Sequence, residues 1–551
     1  MHPSLAVWYT TIKGLVYMKK LPVGIQTFRK IVEGNNVYVD KTRFIYDLIN
    51  GGNFYFLSRP RRFGKSLLLD TIAEVFMGSK ELFKGLWIYD SDYDFASHPV
   101  VRLDMSNVST KTPDVFENDL ASMLRDYLEE EEIRAGDDTP SRLFNRLIKG
   151  LHKKYSQRVV VLIDEYDKPI LDHITDTETA EANRAIVRGL YGILKSLDSC
   201  LKFTFFTGVS KFIKASVFSS LNNLNDITMT KRYANICGVP VGDLEYYFGD
   251  RIKSLATRGG YEDHQDFRNK ILSWYDGYTW DCETKLLNPY GLLSFFNAEE
   301  FKSFWYVSGS PRFLIDLIKA KPEEVPRLQN LTISEANMDV IDILNMEIGP
   351  LLFQTGYLTV ANIVYPDTWP EYVLEIPNNE VKTAFFTQLT AGLAEQEYGF
   401  TNGIYRQIRK AIETGDLQSI LDILKSFFAA IPYQLHIGAE AYYHSIFFSI
   451  MTVLGFKIDS EVSVSRGRID AALELGDKVY VFEFKYQNCP PGACESKKRE
   501  LFDKALKQGM KQITERGYAD RFKGSGKAIY LAAFAFLGRD DVEMESRVIS
   551  Q

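Results

Sequence analysis

The chain has 551 residues, of which 45% are apolar and 25% charged, and its formal net charge is −7. This length exceeds what one hydrophobic core organises, so we expect roughly two to four domains, and the composition excludes a disordered or fibrous protein. The negative charge argues against a general nucleic-acid coat but leaves room for a local basic groove, and the few cysteines suit a reducing cytoplasm, where we expect the protein.

Residues 1–17 form an extension in front of the first predicted domain. They are apolar in patches, but Lys13 interrupts them and no small-residue cleavage site follows, so we predict no signal peptide. No later stretch approaches the roughly 20 apolar residues that a membrane-spanning helix needs. We therefore expect no association with a membrane.

The first motif with chemical content lies between an apolar run and a helical pattern, at residues 58–66, Ser-Arg-Pro-Arg-Arg-Phe-Gly-Lys-Ser. A phosphate-binding loop needs a glycine that phosphates approach closely, a lysine that reaches them and a hydroxyl for Mg²⁺. Gly64, Lys65 and Ser66 supply these three in order. The usual pattern has a further glycine where this chain has Arg59, so the motif by itself leaves an ordinary helix start as the alternative.

A continuous aliphatic run at residues 159–163 ends in two carboxylates, Asp164 and Glu165. Such a run is typical of a parallel strand buried on both faces, and ligands of parallel sheets bind at the carboxyl ends of the strands. Asp164 would hold Mg²⁺, directly or through water, and Glu165 would polarise the attacking water. A solvated strand end explains one carboxylate, but the pair downstream of a Gly-Lys-Ser loop favours a nucleotide site.

The alternation of strands and helices continues to about residue 297. It predicts a strand at 100–104, a helix at about 113–132 and another strand within 201–211. The polar end of that last strand carries Thr207 and Ser210, where an ATPase would place a sensor of the γ-phosphate. A simple turn at the strand end explains these two residues nearly as well.

Several motifs taken together resemble the AAA-ATPase-like proteins of bacteria and archaea that carry a C-terminal PD-(D/E)xK nuclease-like domain. Arginine is usual in that family at the position of Arg59, so the resemblance implies an intact ATP site. The motifs lie at 58–66, 162–169, 207–211, 221–228, 274–278 and 288–290. The predicted nucleotide-binding residues are Arg62, Phe63, Gly64, Lys65, Ser66 and Asp164, with Ser66 and Asp164 at the Mg²⁺ ion.

The sequence pattern of residues 301–390 predicts a helical lid and a winged-helix-like region. Related ATPases keep a second sensor near a Gly-x-Pro turn, which gives that role to Arg312, although a solvated arginine at a helix start is the alternative. Residues 347–359 predict a helix-turn-helix and residues 373–377 its β-wing, with a mixed charge that favours packing over DNA binding. Residues 416–430 predict an amphipathic linker helix.

Two strands near the C-terminus carry charged residues at a suggestive spacing. Residues 466–475 predict one strand and residues 478–485 its hairpin partner, on which alternation places Glu483 and Lys485 on one face. With Asp470 on the neighbouring strand, two carboxylates would hold a divalent metal while the ammonium orients a water, as metal-assisted phosphodiester hydrolysis requires. The alternative is a surface hairpin with an ordinary charged pair, worth about 0.2–1 kcal/mol.

This segment resembles the PD-(D/E)xK nuclease fold. The resemblance implies that Asp470 and Glu483 bind metal and that Lys485 is the catalytic lysine. Glu440 matches the metal-binding acid on the first helix of that fold, and Gln512 matches an auxiliary glutamine on a later helix. An isoleucine precedes Asp470 where the family pattern has proline, which is a frequent departure.

The sequence therefore predicts an α/β protein in which an AAA-like P-loop NTPase domain with a parallel sheet is followed by a helical lid and winged-helix region and by a C-terminal restriction-endonuclease-like domain. The predicted divisions are an extension at 1–17, the ATPase at 18–300, the lid region at 301–390, a linker at 391–432 and the nuclease at 433–551.

The leading hypothesis from sequence is a nuclease that uses ATP and Mg²⁺, with DNA favoured over RNA as its substrate. One alternative is a nucleotide-dependent switch whose nuclease-like domain only binds nucleic acid or a partner protein. Another is a signalling ATPase whose C-terminal domain is a sensor. An arginine supplied by a neighbouring subunit would imply a homo-oligomer, but no residue of the sequence identifies it.

Overall fold

A computed structural model gives the fold as two compact units. The first unit comprises Met1–Ser308 and Thr332–Asn379, and the second comprises Gly309–Leu331 and Glu380–Gln551. The structure describes residues 18–136, 138–211, 218, 221, 223–307, 314–315, 317–318, 325, 328, 331–339, 347–366, 368–394, 398–429, 440–456, 458–464, 467–490, 492–516, 526–538 and 541–549.

A five-stranded parallel sheet forms the centre of the first unit. Its strands are β1 (Phe54–Ser58), β2 (Val100–Asp104), β3 (Val159–Asp164), β4 (Leu201–Gly208) and β5 (Asn225–Asp226). In space they follow the order β2-β3-β4-β1-β5. Every residue of β1 and β3 is buried, which explains why their sequences are apolar without alternation. The strands predicted around residues 54–57, 100–104 and 159–164 are confirmed.

Helices alternate with these strands along the chain. Two short strands, β6 (Val239–Pro240) and β7 (Leu286–Leu287), form an antiparallel pair and lie between helices in the later part of the first unit. The helix predicted at about 113–132 is confirmed. It begins at Pro113 because the side chain of Thr112 accepts a hydrogen bond from the N–H of Val115 and a proline suits the first helical position. The helices are α1 (Phe28–Glu33), α2 (Thr42–Gly51), α3 (Lys65–Phe76), α4 (Pro113–Glu130), α5 (Pro140–Tyr155), α6 (Lys168–Leu171), α7 (Thr177–Gly192), α8 (Leu244–Arg258), α9 (His264–Tyr275), α10 (Pro289–Ala298) and α11 (Phe304–Val307).

The segment predicted as a helix-turn-helix, residues 347–359, contains one helix, so that prediction was wrong. The helix ends because Gly356 adopts a left-handed φ of 91°, and the β-branched residues that follow continue directly into a strand. The predicted β-wing exists as an antiparallel hairpin that joins a three-stranded sheet in the order β8-β10-β9. The elements are β8 (Leu331–Ser334), α12 (Glu335–Asp339), α13 (Ile348–Thr355), β9 (Thr359–Val364) and β10 (Glu371–Glu375).

The second unit contains another five-stranded sheet, whose strands are adjacent in sequence order. Only β13 (Lys478–Gln487) and β14 (Ala528–Leu537) run parallel, and the helix α18 (Glu495–Arg516) connects them. The helix predicted at 416–430 is confirmed as α16 (Leu417–Ala429), which lies within the second unit. The elements are α14 (Asn379–Ala394), α15 (Tyr398–Thr414), α16 (Leu417–Ala429), α17 (Glu440–Val453), β11 (Ile458–Val464), β12 (Gly467–Leu475), β13 (Lys478–Gln487), α18 (Glu495–Arg516), β14 (Ala528–Leu537) and β15 (Asp541–Ile549).

The two faces of β13 pack against different helices. Phe482 and Phe484 contact Phe447 of α17 through their rings, whereas Val479 and Val481 lie in a cluster with residues of α18. Because side chains alternate along a strand, Glu483 and Lys485 belong to the face that α18 covers. The predicted hairpin of β12 and β13 is thus confirmed, and it places both charged residues on one face.

The predicted fold class is confirmed by the parallel α/β sheet of the first unit and by the C-terminal α/β unit. Among the described helices, none is both long and apolar enough to cross a lipid bilayer. The predicted second sensor, Arg312, lies outside the described residues.

Candidate active sites

The predicted phosphate loop connects the buried end of β1 to the start of α3. Gly64 occupies the N-cap of α3 with a left-handed φ of 96°, and no heavy atom lies within 4 Å of the position that a Cβ would take there. A glycine is required at this position by its backbone angle, not by crowding. The first N–H groups of an α-helix have no partner within the helix, so the start of α3 is a suitable place for an anion to bind.

Lys65 lies inside the loop rather than in solvent. Its Nζ donates hydrogen bonds of 2.9 Å to the carbonyl oxygen of Arg59 and 3.0 Å to that of Pro60. Burial lowers the pKa of Lys65, and the carboxylates of the neighbouring acidic strand end partly offset that effect. The ammonium is thus a buried charge with carbonyl partners that an anionic ligand would replace.

Arg59, which stands where the usual loop has glycine, is part of the core. Its guanidinium is fully buried, donates 2.9 Å hydrogen bonds to the carbonyls of Ser58 and Thr228, and lies 4.0 Å above the ring of Trp280. Burial lowers its pKa to about 10. This arginine therefore fixes the loop to the chain around Thr228 and is too deeply placed to bind phosphate.

Arg59→Ala is expected to lower the free energy of unfolding by about 2–4 kcal/mol, because it leaves buried carbonyls unpaired and opens a cavity. Arg61→Ala, at an exposed position of the same loop, is the matched control and should change stability by less than about 1 kcal/mol. Urea unfolding of both variants measures the difference. Equal stabilities of the two variants would contradict the structural role of Arg59.

Of the other predicted nucleotide-binding residues, Phe63 is buried and Arg62 is exposed. Phe63 is fully buried and meets the rings of Tyr278 and Trp280 edge to face, at 5.1 and 5.3 Å between centroids. Arg62 is exposed, has a left-handed φ of 63°, and lies 5.0 Å above the ring of Tyr290. Phe63 is thus positioned to anchor the loop, while the guanidinium of Arg62 is accessible to a ligand.

The acidic strand end predicted to bind Mg²⁺ and water lies beside the loop. Asp164 accepts hydrogen bonds from the hydroxyl of Thr207 and, at 3.0 Å, from the backbone N–H of Glu165. Glu165 has a left-handed φ of 50°, a strained conformation of the kind that is common at active sites. The bond from Thr207 joins the end of β4 to the end of β3 at the metal-binding position.

Ser210, the predicted auxiliary residue, is bound to a carboxylate that sequence reasoning did not single out. Asp167 is buried and accepts 2.6 Å hydrogen bonds from both the backbone N–H and the hydroxyl of Ser210. Gly208 makes this approach possible, since a Cβ there would lie 2.4 Å from the ring of Tyr166. Asp167 is the last residue of the sequence Asp-Glu-Tyr-Asp, and its place just after Asp164 and Glu165 could have marked it as a third site residue.

Two cavities adjoin the loop. One is lined by Ser66, Asp164 and Asp104, so it brings together a hydroxyl and carboxylates, the hard oxygen donors that Mg²⁺ prefers. The other is apolar, lies beside Gly64, and is formed by segments far apart in sequence, which is why no local motif indicates it. Its lining includes Pro22, Val37, Ile236, Val239 and Leu293.

Burial raises the pKa of Glu165, while Lys65 opposes the shift. A carboxyl whose folded pKa exceeds its unfolded pKa binds protons more tightly when folded, so its ionisation destabilises the fold as the pH rises through that interval. Glu165→Gln should therefore leave the protein at least as stable at pH 7 as the parent, while ATP hydrolysis falls about 10²–10⁴-fold. Thermal unfolding and phosphate release measure the two effects, and a destabilised or fully active variant would contradict the assignment.

The second site lies on the hairpin of β12 and β13. The pairing of these two strands ends at Ala471 and Phe482, one residue short of Asp470. Beyond that pair, the side chain of Asp470 accepts a 2.8 Å hydrogen bond from the backbone N–H of Phe484. A side-chain oxygen thus binds a strand N–H that a backbone carbonyl would otherwise bind. The end of the strand pair therefore holds a carboxylate in a fixed position beside Glu483.

Lys485 lies among the three predicted acidic residues. Its Nζ is 3.1 Å from carboxylate oxygens of both Glu440 and Glu483, and Glu440 also accepts from the backbone N–H of Tyr486. Burial opposes the charge on Lys485, but Glu483, Glu440 and Asp470 raise its pKa above the ordinary value. With all four groups ionised, three negative charges and one positive charge leave −2, which one divalent cation would neutralise.

The described residues contain no group of three His, Cys, Asp or Glu side chains arranged to share one metal ion. Mg²⁺ in proteins is often bound by one or two carboxylates and water, so the roles predicted for Asp470 and Glu483 do not require a third acidic ligand. Gln512 is half-buried one turn after Gly509, where a Cβ would lie 3.6 Å from Cγ of Lys485. The roles assigned to Glu440 and Gln512 stay predictions.

Comparisons with known proteins match two separate parts of the chain. A family model described as predicted AAA-ATPase matches residues 22–218, and one described as PD-(D/E)XK nuclease superfamily matches residues 438–546. A protein of Azotobacter chroococcum mcd 1, described as an uncharacterized protein in the vnfD 5′ region, is 35% identical over 528 residues, which cover 94% of this chain and 96% of that protein. The predicted catalytic, nucleotide-binding and metal-binding residues all lie within the two matched ranges.

A solved structure, that of the Aeropyrum pernix ORC2 protein in ADPNP-ADP complexes, also matches. The match covers 66% of this chain and 98% of that protein, with 10% sequence identity and a TM-score of 0.26.

Proposed function

The chain belongs to the family of predicted AAA-ATPases that carry a C-terminal PD-(D/E)XK nuclease-superfamily domain, and from this premise we propose that it hydrolyses ATP and cleaves phosphodiester bonds of nucleic acid in a Mg²⁺-dependent reaction. DNA is the favoured substrate, and the ATPase controls the cleavage. The five cysteines are all free thiols, which agrees with the cytoplasmic location proposed here.

In the first site, the residues divide the work of ATP hydrolysis. Lys65 would exchange its two loop carbonyls for phosphate oxygens, and the open N–H groups of α3 would bind the same phosphates. Ser66 and Asp164 would hold Mg²⁺, which neutralises phosphate charge when bound. Glu165 would orient the attacking water and accept its proton. The apolar cavity beside Gly64 fits the flat base of the nucleotide.

In the second site, Asp470 and Glu483 would hold the metal, which supplies Lewis acidity and a more acidic water when bound. Lys485 would hold and orient the attacking water or stabilise charge on the phosphate, since its raised pKa keeps it cationic at neutral pH. The observation that carries the proposal is the position of Lys485, 3.1 Å from Glu483, next to a carboxylate fixed at a strand end.

Control by ATP is supported by contacts within the first unit. Asp167 binds Ser210 at the end of β4, and the N–H of the next residue, Lys211, donates a 2.7 Å hydrogen bond to the amide oxygen of Gln354 in α13. The chain from α13 leads through the β9–β10 hairpin to the second unit. A change at the phosphate site therefore has a short hydrogen-bonded connection to the segment that precedes the nuclease-like unit.

A second candidate function is a nucleotide-dependent switch whose nuclease-like unit binds nucleic acid without cutting it. The full burial of Glu483 favours this candidate, because a metal would have to displace Lys485 from an enclosed carboxylate. The fixed carboxylate of Asp470 and the contact between Lys485 and Glu440 favour cleavage.

The two candidates differ in one assay. Purified protein is incubated with linear and circular, single- and double-stranded DNA and with RNA, in Mg²⁺ or in chelator, with and without ATP. We expect cleavage in Mg²⁺ alone or with ATP and none in chelator. Binding without cleavage of any substrate would refute the nuclease and support the switch.

A further inference from the structure

The helix α5 has an unusual charge for this acidic chain. Its 16 residues, Pro140–Tyr155, include five lysines and arginines and no aspartate or glutamate, whereas the whole chain has a net charge of −7. The preceding helix α4 is predominantly acidic. A positively charged helix thus follows a negatively charged one in the first unit.

Four of these basic residues form one stripe along the helix. Arg142, Arg146, Lys149 and Lys153 are spaced by four, three and four residues, so they share one side of a helix with 3.6 residues per turn. Eleven residues at about 1.5 Å each give the stripe a length of about 16 Å, the rise of roughly five base pairs. Arg142, Lys149 and Lys153 are exposed, and Arg146 is partly exposed.

The stripe carries more positive charge than its neighbours neutralise. Asp138 pairs with both arginines, at 2.7 Å from Arg146 and 3.5 Å from Arg142. Within the part of the chain that the structure describes, Lys149 and Lys153 have no carboxylate partner. Ser141 and Asn145 line the same surface groove as these basic residues and add uncharged hydrogen-bonding groups. Such a groove fits the phosphates and sugars of a nucleic-acid backbone.

A membrane surface is a poor fit to the same helix. An amphipathic helix that lies on a bilayer inserts an apolar face, but the apolar residues of α5 are buried in the core of the first unit. They are Leu143, Phe144, Leu147, Ile148 and Leu151. We propose that the stripe Arg142, Arg146, Lys149 and Lys153 binds the phosphate backbone of duplex DNA, as a site separate from both candidate active sites.

This inference rests on the proposed function only in its choice of nucleic acid as partner. The test is equilibrium binding of the full chain to a fluorescent duplex in chelator, so that no cleavage occurs, at several salt concentrations. The double variant Lys149→Gln, Lys153→Gln is compared with Lys84→Gln, Lys253→Gln, which removes two exposed lysines elsewhere on the first unit. Basal ATP hydrolysis should be unchanged in both.

The stripe variant should bind about 10- to 100-fold more weakly at 100 mM salt, and the slope of log affinity against log salt should fall by about 1.8, while the control matches the parent. Equal binding by parent and stripe variant would overturn the proposal, as would preferential binding of phosphatidylserine vesicles through the same lysines. Failure of the proposed nuclease is distinguishable, since it would appear as absent cleavage in Mg²⁺ with stripe-dependent binding retained.

Discussion

Lys65→Ala is expected to lower ATP hydrolysis by a factor on the order of 10²–10³ or more, because it removes the ammonium that we propose binds the phosphates. The fold should survive. The variant loses two hydrogen bonds to loop carbonyls, but it also removes a buried charge whose pKa burial has lowered, and the two effects oppose each other. We expect a change in unfolding free energy within about 1 kcal/mol.

Phosphate release and urea unfolding of Lys65→Ala test both parts of this prediction. Arg61→Ala is the matched control, since it removes an exposed cation four residues away in the same loop. Full turnover by Lys65→Ala would refute the loop assignment. Loss of turnover together with a large loss of stability would show that the lysine acts by holding the loop and not by binding nucleotide.

Asp470→Asn is expected to abolish metal-dependent cleavage while ATP hydrolysis without DNA stays at the parent level. Losing one carboxylate ligand should cost several kcal/mol of transition-state stabilisation, about 10²–10³-fold in rate. The amide oxygen of asparagine still accepts the hydrogen bond from the N–H of Phe484, so the strand end keeps its geometry. The loss would then report chemistry rather than unfolding.

Asp477→Asn provides a matched control for this variant, because Asp477 lies on the same hairpin with its side chain 82% exposed. Lys485→Ala is a less clean test, since it leaves Glu483 fully buried without its cation and should destabilise the fold by about 3–5 kcal/mol. Cleavage at the parent rate by Asp470→Asn would place the nuclease site elsewhere or identify a contaminating activity.

The elements that sequence could predict are those set by local pattern. The aliphatic run that ends in Asp164 and the helix that starts at Gly64 both carry their own signals, and alternation alone places Glu483 and Lys485 on one face. The helix-turn-helix was predicted wrongly because Gly356 resembles a turn between helices, whereas the β-branched residues after it form a strand.

The contacts that sequence could not predict join distant segments. Arg59 is recognised as structural only when Thr228 and Trp280 are seen around it, about 170 and 220 residues further along the chain. The same holds for the apolar cavity beside Gly64 and for the hydrogen bond that Lys485 donates to Glu440, 45 residues earlier in the chain. Local periodicity carries no information about such pairs.

Control of the nuclease by the ATP site is tested most directly by the rate of DNA cleavage with ATP, with a non-hydrolysable ATP analogue and with no nucleotide. The parent protein and Lys65→Ala are compared in Mg²⁺. We predict that nucleotide changes the cleavage rate of the parent severalfold and has no effect on Lys65→Ala, whose nuclease residues are intact. Cleavage by the parent at one rate under all three conditions would contradict this control.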